Sequence, residues 1–311
     1  MRLRAYAVAL AAWASLACAS PTPTPLPDDL SAPGDPLVWR ASGPAAGAGP
    51  LYLLGSVHLG SRHGSQLGPA VEAAYGAAEE LVVEVDLSGQ SPDQLAADLL
   101  AMGRVSPGRP LRKWVSAATW DALERYCTVA GASLASFAAM KPWLAANVIV
   151  LAQFHEAGYD GEFGVDRLMI ERAEEEIPIA GLETAEFQLD LLNSLPVELQ
   201  ELLLRDALEQ HEAGFASSTH ELIDAWTRGD AVALSQLIFE DADVPEYRLF
   251  YERVFFERNE RMARDLAALS VDGRVRLVVV GVGHMLGPRG IPALLETRGF
   301  TVEQLGGTPK R

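Results

Sequence analysis

Runs of large apolar residues near both ends of the chain predict a buried β-sheet. Residues 37–40 and 51–54 flank a turn rich in Gly and Pro, a pattern that predicts a hairpin. From residue 68 to about residue 80 the apolar positions repeat on one helical face, and residues 81–86 then form a strand-like run. Because strand, helix and strand alternate here, we predict a βαβ unit with a parallel pair of strands.

The other end of the chain has a similar pattern. Residues 276–280 predict a buried strand, residues 291–297 a helix, and residues 300–305 a last strand. Between the two ends, nearly everything from about residue 91 to 269 has a helical pattern. A short apolar run at residues 177–182 could return to the sheet. We therefore predict an α/β fold, a mixed sheet built from both ends of the chain with a large helical insertion over about 91–269, in a single domain over 37–305.

The N-terminal residues 1–18 have the pattern of a signal peptide. A basic start is followed by about thirteen apolar residues, too short a run to cross a bilayer as a helix. Leu16-Ala17-Cys18 is similar to a bacterial lipoprotein box, which predicts lipidation of Cys18, although Ser15 stands where such a box usually has Leu. The alternative is Ala17-Cys18-Ala19, an A-x-A cleavage site that releases a soluble secreted protein.

The next segment, residues 19–36, is a proline-rich linker that we expect to be stiff and extended. Such a spacer suits a domain held away from a membrane by an N-terminal lipid anchor. Residues 306–311 form a short tail. We therefore expect the protein to be located at the bacterial cell envelope, as an outer-membrane or inner-membrane lipoprotein that faces the periplasm or the exterior. The alternative is a soluble secreted protein.

Composition excludes several classes of protein. Of 311 residues, 49% are apolar and 22% charged, which is the balance of a folded globular chain. The 25 basic and 42 acidic residues give a net charge of −17, so the surface repels phosphate backbones and we expect no nucleic-acid binding. The two cysteines cannot form a disulfide scaffold, and Cys127 has the pattern of a core thiol.

Two matching strings place histidines just beyond predicted buried strands. Gly55-Ser-Val-His58 and Gly281-Val-Gly-His284 share the pattern G-x-x-H, and each follows a run of aliphatic residues. Ligands gather at the carboxyl ends of the strands in open α/β sheets. The matched pair therefore predicts a site that combines both ends of the chain, and the alternative is two loop histidines that bond the backbone.

Carboxylates occupy equivalent positions. Glu84 lies inside the strand-like run 81–86, Asp86 follows at its exit, and Glu183 ends the short run after residue 177. A charge in a buried strand is costly unless it is paired, protonated or bound to a metal. Two imidazoles with one or two carboxylates make a site for a divalent transition metal, such as manganese, cobalt or zinc. The alternative for Glu84 and Asp86 is an ion pair with an arginine.

Seven short motifs, in order along the chain, together resemble the TraB/GumN family over roughly residues 37–305. This family belongs to the superfamily of the Tiki metalloproteases, the erythromycin esterases and the ChaN-like haem-binding lipoproteins. The motifs are Leu53-Leu-Gly-Ser-Val-His58, Glu84-Val-Asp86, Lys141-Pro-Trp143, Gly164-Val-Asp166, Gly181-Leu-Glu-Thr184 with Gln188, Arg258-Asn259, and Gly281-Val-Gly-His284 with Gly287 and Gly290.

The resemblance implies that His58 and His284 are the paired histidines of the family and that Glu84 is its strand carboxylate. It also implies that Arg258 is the polar residue ahead of the last core strand. Asp86, Asp166 and Asn259 are further candidates because they stand within the quoted motifs.

Our first hypothesis is an exported metal-dependent peptidase or amidase. We expect His58, His284, Glu84 and Glu183 to hold the metal, which lowers the pKa of a bound water to about 7. His284, with Glu84 if it is not a ligand, would do the acid–base work, and Arg258 would stabilise the developing oxyanion. The alternatives are a non-catalytic surface lipoprotein that binds haem, metal or a partner protein, and a metal-free esterase using Glu84 and His284. A substrate would be a peptide or small molecule.

Overall fold

The computed structural model describes residues 36–61, 67–213 and 215–306, and the protein has the predicted mixed α/β architecture. A six-stranded sheet contains strands from both ends of the chain, and a separate pair of two-residue strands lies beside it. The six strands are β1 (Val38–Ser42), β2 (Leu51–Ser56), β4 (Glu80–Val85), β6 (Ile179–Glu183), β7 (Arg276–Gly281) and β8 (Thr301–Gln304), and the short pair is β3 (Gly60–Ser61) and β5 (Tyr159–Asp160).

The strand order in the large sheet is β6-β4-β7-β2-β1-β8. Strands β1 and β2 pair antiparallel, which confirms the predicted hairpin, and β8 adds to the outer edge of β1. Strands β6, β4, β7 and β2 are parallel. Their four carboxyl ends therefore lie along one edge of the sheet.

The predicted parallel pair of β2 and β4 is wrong in one respect, because the two strands are parallel but not adjacent. Strand β7 lies between them and pairs with both. All six residues of β7 are buried, as expected for a strand covered on both faces at the sheet centre. Local connections fixed the direction of β2 and β4, but burial placed the C-terminal strand between them.

Helices occupy most of the chain between β4 and β7. The helix over Val165–Ala173 packs on β4 and β7, and the helix over Ile291–Thr297 packs on β1 and β8. The helix over Pro142–Glu156 packs on the helix over Val197–Ala213. The helices are α1 (Pro69–Ala77), α2 (Pro92–Gly103), α3 (Ala117–Ala130), α4 (Leu134–Ala138), α5 (Pro142–Glu156), α6 (Val165–Ala173), α7 (Ala185–Asn193), α8 (Val197–Ala213), α9 (Phe215–Thr227), α10 (Ala231–Ile238), α11 (Arg248–Tyr251), α12 (Glu257–Leu269) and α13 (Ile291–Thr297).

Local sequence signals account for several helix boundaries. The side chains of Ser116 and Ser133 accept hydrogen bonds from backbone N–H groups in the first turns of α3 and α4. Gly131 ends α3 in the left-handed conformation that glycine adopts without strain. One irregularity precedes α12, where residues Glu252–Phe256 form a π-helical turn.

Cys127 is a buried free thiol, as expected. Cys18 lies outside the described residues, so the expected lipidation site has no structural account here. Among the described residues, no helix is long and apolar enough to cross a membrane.

Candidate functional site

The carboxyl ends of the four parallel strands supply the polar cluster. His58 lies two residues beyond β2, and Glu84 is the second-last residue of β4. Glu183 is the last residue of β6, and His284 lies in a short 3₁₀ turn after β7. All four residues are buried. The structure thus brings together residues from both ends of the chain and from the helical insertion.

The two oxygens of Glu84 face different partners. Its Oε1 accepts hydrogen bonds from Arg258 Nη2 and, at 2.7 Å, from Gln188 Nε2. Its Oε2 accepts the backbone N–H of Gly281 at 3.1 Å and lies 4.0 Å from His58 Nε2 and 3.8 Å from His284 Nε2. Glu84 therefore has both the arginine partner of the structural interpretation and the histidine neighbours of the functional one.

Asp166 and Ser56 fix the orientation of His58. Asp166 Oδ2 lies 2.8 Å from His58 Nδ1, and Asp166 Oδ1 accepts the hydroxyl of Ser56. Burial disfavours the charged imidazolium, but the Asp166 carboxylate and its hydrogen bond, together with Glu84, outweigh burial and raise the pKa of His58 to about 9. His58 is therefore a cation at neutral pH, with Nε2 directed toward Glu84.

Asn259 fixes the protonation of His284 in a different way. Asn259 Nδ2 donates to the backbone carbonyl of Arg289 at 2.8 Å, and a carbonyl can only accept. The amide oxygen of Asn259 therefore faces His284 Nδ1, which must carry the proton. Burial, followed by the charge of Arg258, lowers the pKa of His284 to about 4. His284 is thus neutral at pH 7 and presents an unprotonated Nε2 to Glu84.

Arg258 and Glu183 lie on the Oε1 side of Glu84, away from the two histidines. Arg258 Nε lies 3.1 Å from both oxygens of Glu183, Nη2 bonds Glu84 and Glu183, and Nη1 donates to the carbonyl of Val254 at 2.8 Å. Burial opposes the charge on Glu84, but Arg258 outweighs it and holds the pKa of that carboxyl well below its usual range. All three nitrogens of the Arg258 guanidinium are therefore engaged within the protein.

Glu183 and Asp86 have partners of their own. Glu183 accepts hydrogen bonds from Arg258, Arg261 and Gln188. Asp86 accepts the backbone N–H of Ser88 at 2.8 Å, and in the described part of the chain no contact joins it to the two histidines. The ligand role expected for Glu183 stays a prediction, and Asp86 stabilises the loop after β4.

The donor atoms match a divalent metal in type. Both histidines are anchored through Nδ1 and turn Nε2 toward one carboxylate oxygen, the arrangement that orients metal-binding imidazoles. With bonds near 2.0–2.1 Å, donors around a tetrahedral ion stand roughly 3.4 Å apart. The separations of 3.8 and 4.0 Å are slightly wider. Within the described ranges, no group of three or more His, Cys, Asp or Glu side chains is already arranged as a metal site.

Sequence reasoning missed two residues of the cluster. Arg261 stands one helical turn after Arg258 on α12, so the spacing of the two arginines is the signal that could have identified it. Ser56 lies inside the first G-x-x-H string, and its position at the end of the strand is the signal that could have placed it beside the site. His63, five residues after His58, lies outside the described residues.

Two other described histidines lie outside this cluster. His211 and His220 are half-buried, and their rings contact Tyr126 and Tyr159 with centroid separations of 4.9 and 5.8 Å.

The fold and cluster define an α/β protein with a buried centre of two histidines around one strand carboxylate, at the carboxyl edge of a parallel sheet. The chain belongs to the TraB/PrgY/gumN family, whose model matches residues 37–304. The resemblance drawn from the seven motifs is therefore confirmed.

Two relatives have sequences that align over most of the chain. "Uncharacterized protein YbaP" of Escherichia coli (strain K12) is 26% identical over 248 residues, covering 79% of this chain and 87% of the relative. A protein of the same name from Shigella flexneri is 26% identical over 247 residues, covering 78% and 87%. No solved structure matches the chain.

Proposed function

We propose that the protein is a hydrolase of peptide or amide bonds and that its centre is the cluster of His58, Glu84 and His284. One observation carries the proposal: Glu84 Oε2 and His284 Nε2 are both hydrogen-bond acceptors, and they face each other across 3.8 Å. Two buried acceptors in this arrangement favour a cation or a proton donor between them. A water activated for attack on a carbonyl meets that requirement.

A divalent metal ion fits the same three side chains. His284 Nε2, Glu84 Oε2 and, once it has released its proton, His58 Nε2 would hold it, and when bound it would lower the pKa of a water so that hydroxide is available at neutral pH. In the protein itself, Asp166 orients His58, and Asn259 keeps the His284 Nε2 lone pair available. These hydrogen bonds reduce the reorganisation needed at the reacting centre.

Arg258 has a supporting role in this proposal rather than a direct contact with substrate. The sequence suggested that it stabilises an oxyanion, but its three nitrogens already donate to Glu84, Glu183 and Val254. We propose that it keeps Glu84 ionised and correctly placed, because a buried carboxylate without a cation takes up a proton.

A second candidate function is a metal-free esterase, which the opposite pKa shifts of the two histidines favour. At neutral pH, His58 is a cation because its pKa is about 9, and His284 is neutral because its pKa is about 4. A neutral imidazole beside an imidazolium can act as a base and acid pair in acyl transfer. Here His58 takes the proton-donating and oxyanion-stabilising role.

Metal content and turnover, measured together, test these proposals. The purified domain is analysed for bound metal, beside a His58→Ala, His284→Ala double variant, and its hydrolysis of a peptide library and of small esters is followed with and without chelator. Stoichiometric metal that the folded double variant loses, together with chelator-sensitive peptide cleavage, is the expected result. Ester cleavage that resists chelator supports the second candidate. Metal or haem binding without any turnover contradicts both and indicates a binding lipoprotein.

We also propose that the protein is exported and held at the bacterial cell envelope through a lipid on Cys18. The basic start, apolar run and proline-rich spacer of the sequence support this. Replacing Cys18 by Ser is expected to abolish acylation and release the protein from the membrane fraction. A mature wild-type N-terminus at Ser20 would instead indicate the soluble secreted form.

A further inference from the structure

Burial across the cluster identifies Arg261 as its outer edge. The side chains of Glu84, His58, His284 and Arg258 are between 3 and 7% exposed, that of Asp166 is 18% exposed, and that of Arg261 is the most exposed of the six at 33%. A substrate that reaches the buried centre must arrive from a side where the cluster meets solvent. Arg261 is therefore in a position to contact a substrate before or during binding.

The guanidinium of Arg261 is held in one orientation. Its Nη2 donates to Glu183 Oε1, and its plane lies over the ring of Phe187, 4.2 Å from the centroid. Phe187 is itself fixed in the first turn of α7, where its backbone N–H donates to Thr184 Oγ1 at 3.1 Å. Among the described residues, Arg261 Nε and Nη1 have no partner. A rigid cation with unused donors is thus present at the rim.

Glu183 does not need Arg261 to satisfy its charge. Arg258 Nε and Nη2 make three hydrogen bonds to the two oxygens of Glu183, and Gln188 Nε2 adds another at 3.0 Å. These partners are buried with Glu183 and would remain if Arg261 turned away. The unused donors of Arg261 are therefore available to a ligand at little cost to the cluster.

We propose that Arg261 binds a carboxylate of the substrate and makes the site selective for acidic or carboxyl-terminal peptides. This inference rests on the proposed function, since it names the substrate class of the same centre. Arginine presents planar N–H donors that match a carboxylate. Arg261 contacts Glu183, which shares the partners Arg258 and Gln188 with Glu84, so the bound carboxylate lies beside the buried centre and not within it.

The test compares matched substrates and matched variants. Acetylated peptides are prepared with a free carboxyl terminus, with an amidated terminus, and with an amidated terminus plus an internal Asp or Glu, so that the two sources of a carboxylate are distinguished. For wild-type protein we expect kcat/KM to be at least about 10-fold higher for one of the two carboxylate series than for the neutral amide. Arg261→Gln should reduce this ratio to near 1, and Arg261→Lys should leave an intermediate ratio.

Arg264→Gln is the control, because Arg264 is exposed on the same helix and pairs with its neighbour Asp265. It should leave the preference unchanged. Melting temperatures of all variants show whether each is folded, and Arg261→Lys retains the charge if Arg261→Gln does not fold. Equal rates for all peptides in wild-type protein, or a preference that survives in folded Arg261→Gln, would overturn the inference while leaving hydrolysis intact.

Calorimetric binding of the same peptides separates this inference from the proposed function. Binding that prefers a carboxylate and depends on Arg261, without cleavage, would support the carboxylate site and contradict hydrolysis. If the carboxylate peptides are neither cleaved nor bound, the inference is wrong.

Discussion

Glu84 has two roles because its oxygens face different partners, and one substitution separates them. Glu84→Gln keeps the shape of the side chain but removes the charge that faces His58 and His284. We expect hydrolysis to fall by roughly 10²–10⁴. Unfolding free energy should fall by about 3 kcal/mol, the low end for a broken buried ion pair, because Arg258 keeps its bonds to Glu183.

Glu80→Gln is the matched control for this prediction. Glu80 lies on the same strand as Glu84, at the opposite end, and pairs with the buried side chain of Arg276, which also retains a second partner, Asp272. We expect Glu80→Gln to lower stability without changing the rate. Activity and denaturant unfolding of both variants decide the matter: equal rate losses would show that the rate follows the fold and not the site.

The raised pKa of His58 predicts that the folded protein loses stability as the pH becomes alkaline. Because the folded pKa of about 9 exceeds the ordinary value of 6.5, this contribution is fully present below pH 6.5 and is lost as pH rises through about 9. Asp166→Asn removes the charge that raises the pKa. We expect the His58 pKa to fall toward its ordinary value of 6.5 and the alkaline loss of stability to shrink.

Imidazole NMR titration and urea unfolding between pH 6 and 10 measure this effect. Asp86→Asn serves as control, because Asp86 bonds the Ser88 backbone and not the histidine. A His58 pKa that stays near 9 in Asp166→Asn would contradict the assigned cause.

At the scale of elements, the tight end of β7 limits which side chains fit beside the histidines. A Cβ added at Gly281 would lie 2.8 Å from His58 Nε2 and 3.5 Å from Glu84 Oε2. Since Asp166 holds His58 in place, the ring cannot move without losing its hydrogen bond. Gly281→Ala should lower the unfolding free energy by about 1–3 kcal/mol and reduce hydrolysis.

Gly76 on helix α1 provides the comparison, because a Cβ there would meet nothing within 4 Å. Gly76→Ala should stabilise the protein by about 0.5–1 kcal/mol, the usual gain for alanine in a helix. Denaturant unfolding of both variants tests the pair. If Gly281→Ala is as stable as the wild type, the proposed close approach between β7 and His58 is incorrect.

The sequence predicted individual strands and helices better than it predicted which of them lie next to each other. Alternating and continuous apolar runs identified the hairpin of β1 and β2, the strand containing Glu84 and the last three elements, because each pattern is local. The position of β7 between β4 and β2 was not predictable, since strand order depends on contacts between distant segments. The π-helical turn was also missed, because no periodicity of side chains marks it.

The same limit applied to the site. The G-x-x-H strings and the strand carboxylates could be found because each stands at a predicted strand end. The pairing of Asp166 with His58 and of Asn259 with His284 joins residues 108 and 25 positions apart, and sequence spacing carries no information about such contacts. For these residues, membership of a motif was the only signal. The contact between Phe255 and His284 was equally hidden in the sequence, since the π-helical turn brings the two ring centroids to 5.3 Å from each other.

For the whole molecule, the topology makes the site depend on both ends of the chain. Strand β7 supplies hydrogen bonds to β2 and β4, and His284 follows it directly. Removing β7 therefore separates the N-terminal strands from each other as well as removing a site residue. Strand β6 pairs with β4, so its connection to β2 and the N-terminal hairpin runs through β7.

We therefore expect a chain that ends at residue 270 not to fold, although it keeps His58, Glu84 and Arg258. Without β7, the buried faces of β2 and β4 are exposed to water, and the parallel hydrogen bonds of both strands are lost. A chain that ends at residue 298 loses only β8, an edge strand, and the buried ring of Phe300. It should fold with an unfolding free energy lower by about 3 kcal/mol, from the lost burial of one aromatic side chain and the edge pairing. Circular dichroism during thermal unfolding distinguishes the two outcomes. A cooperative transition in the shorter chain would show that the N-terminal strands and the helices fold without the C-terminal strand.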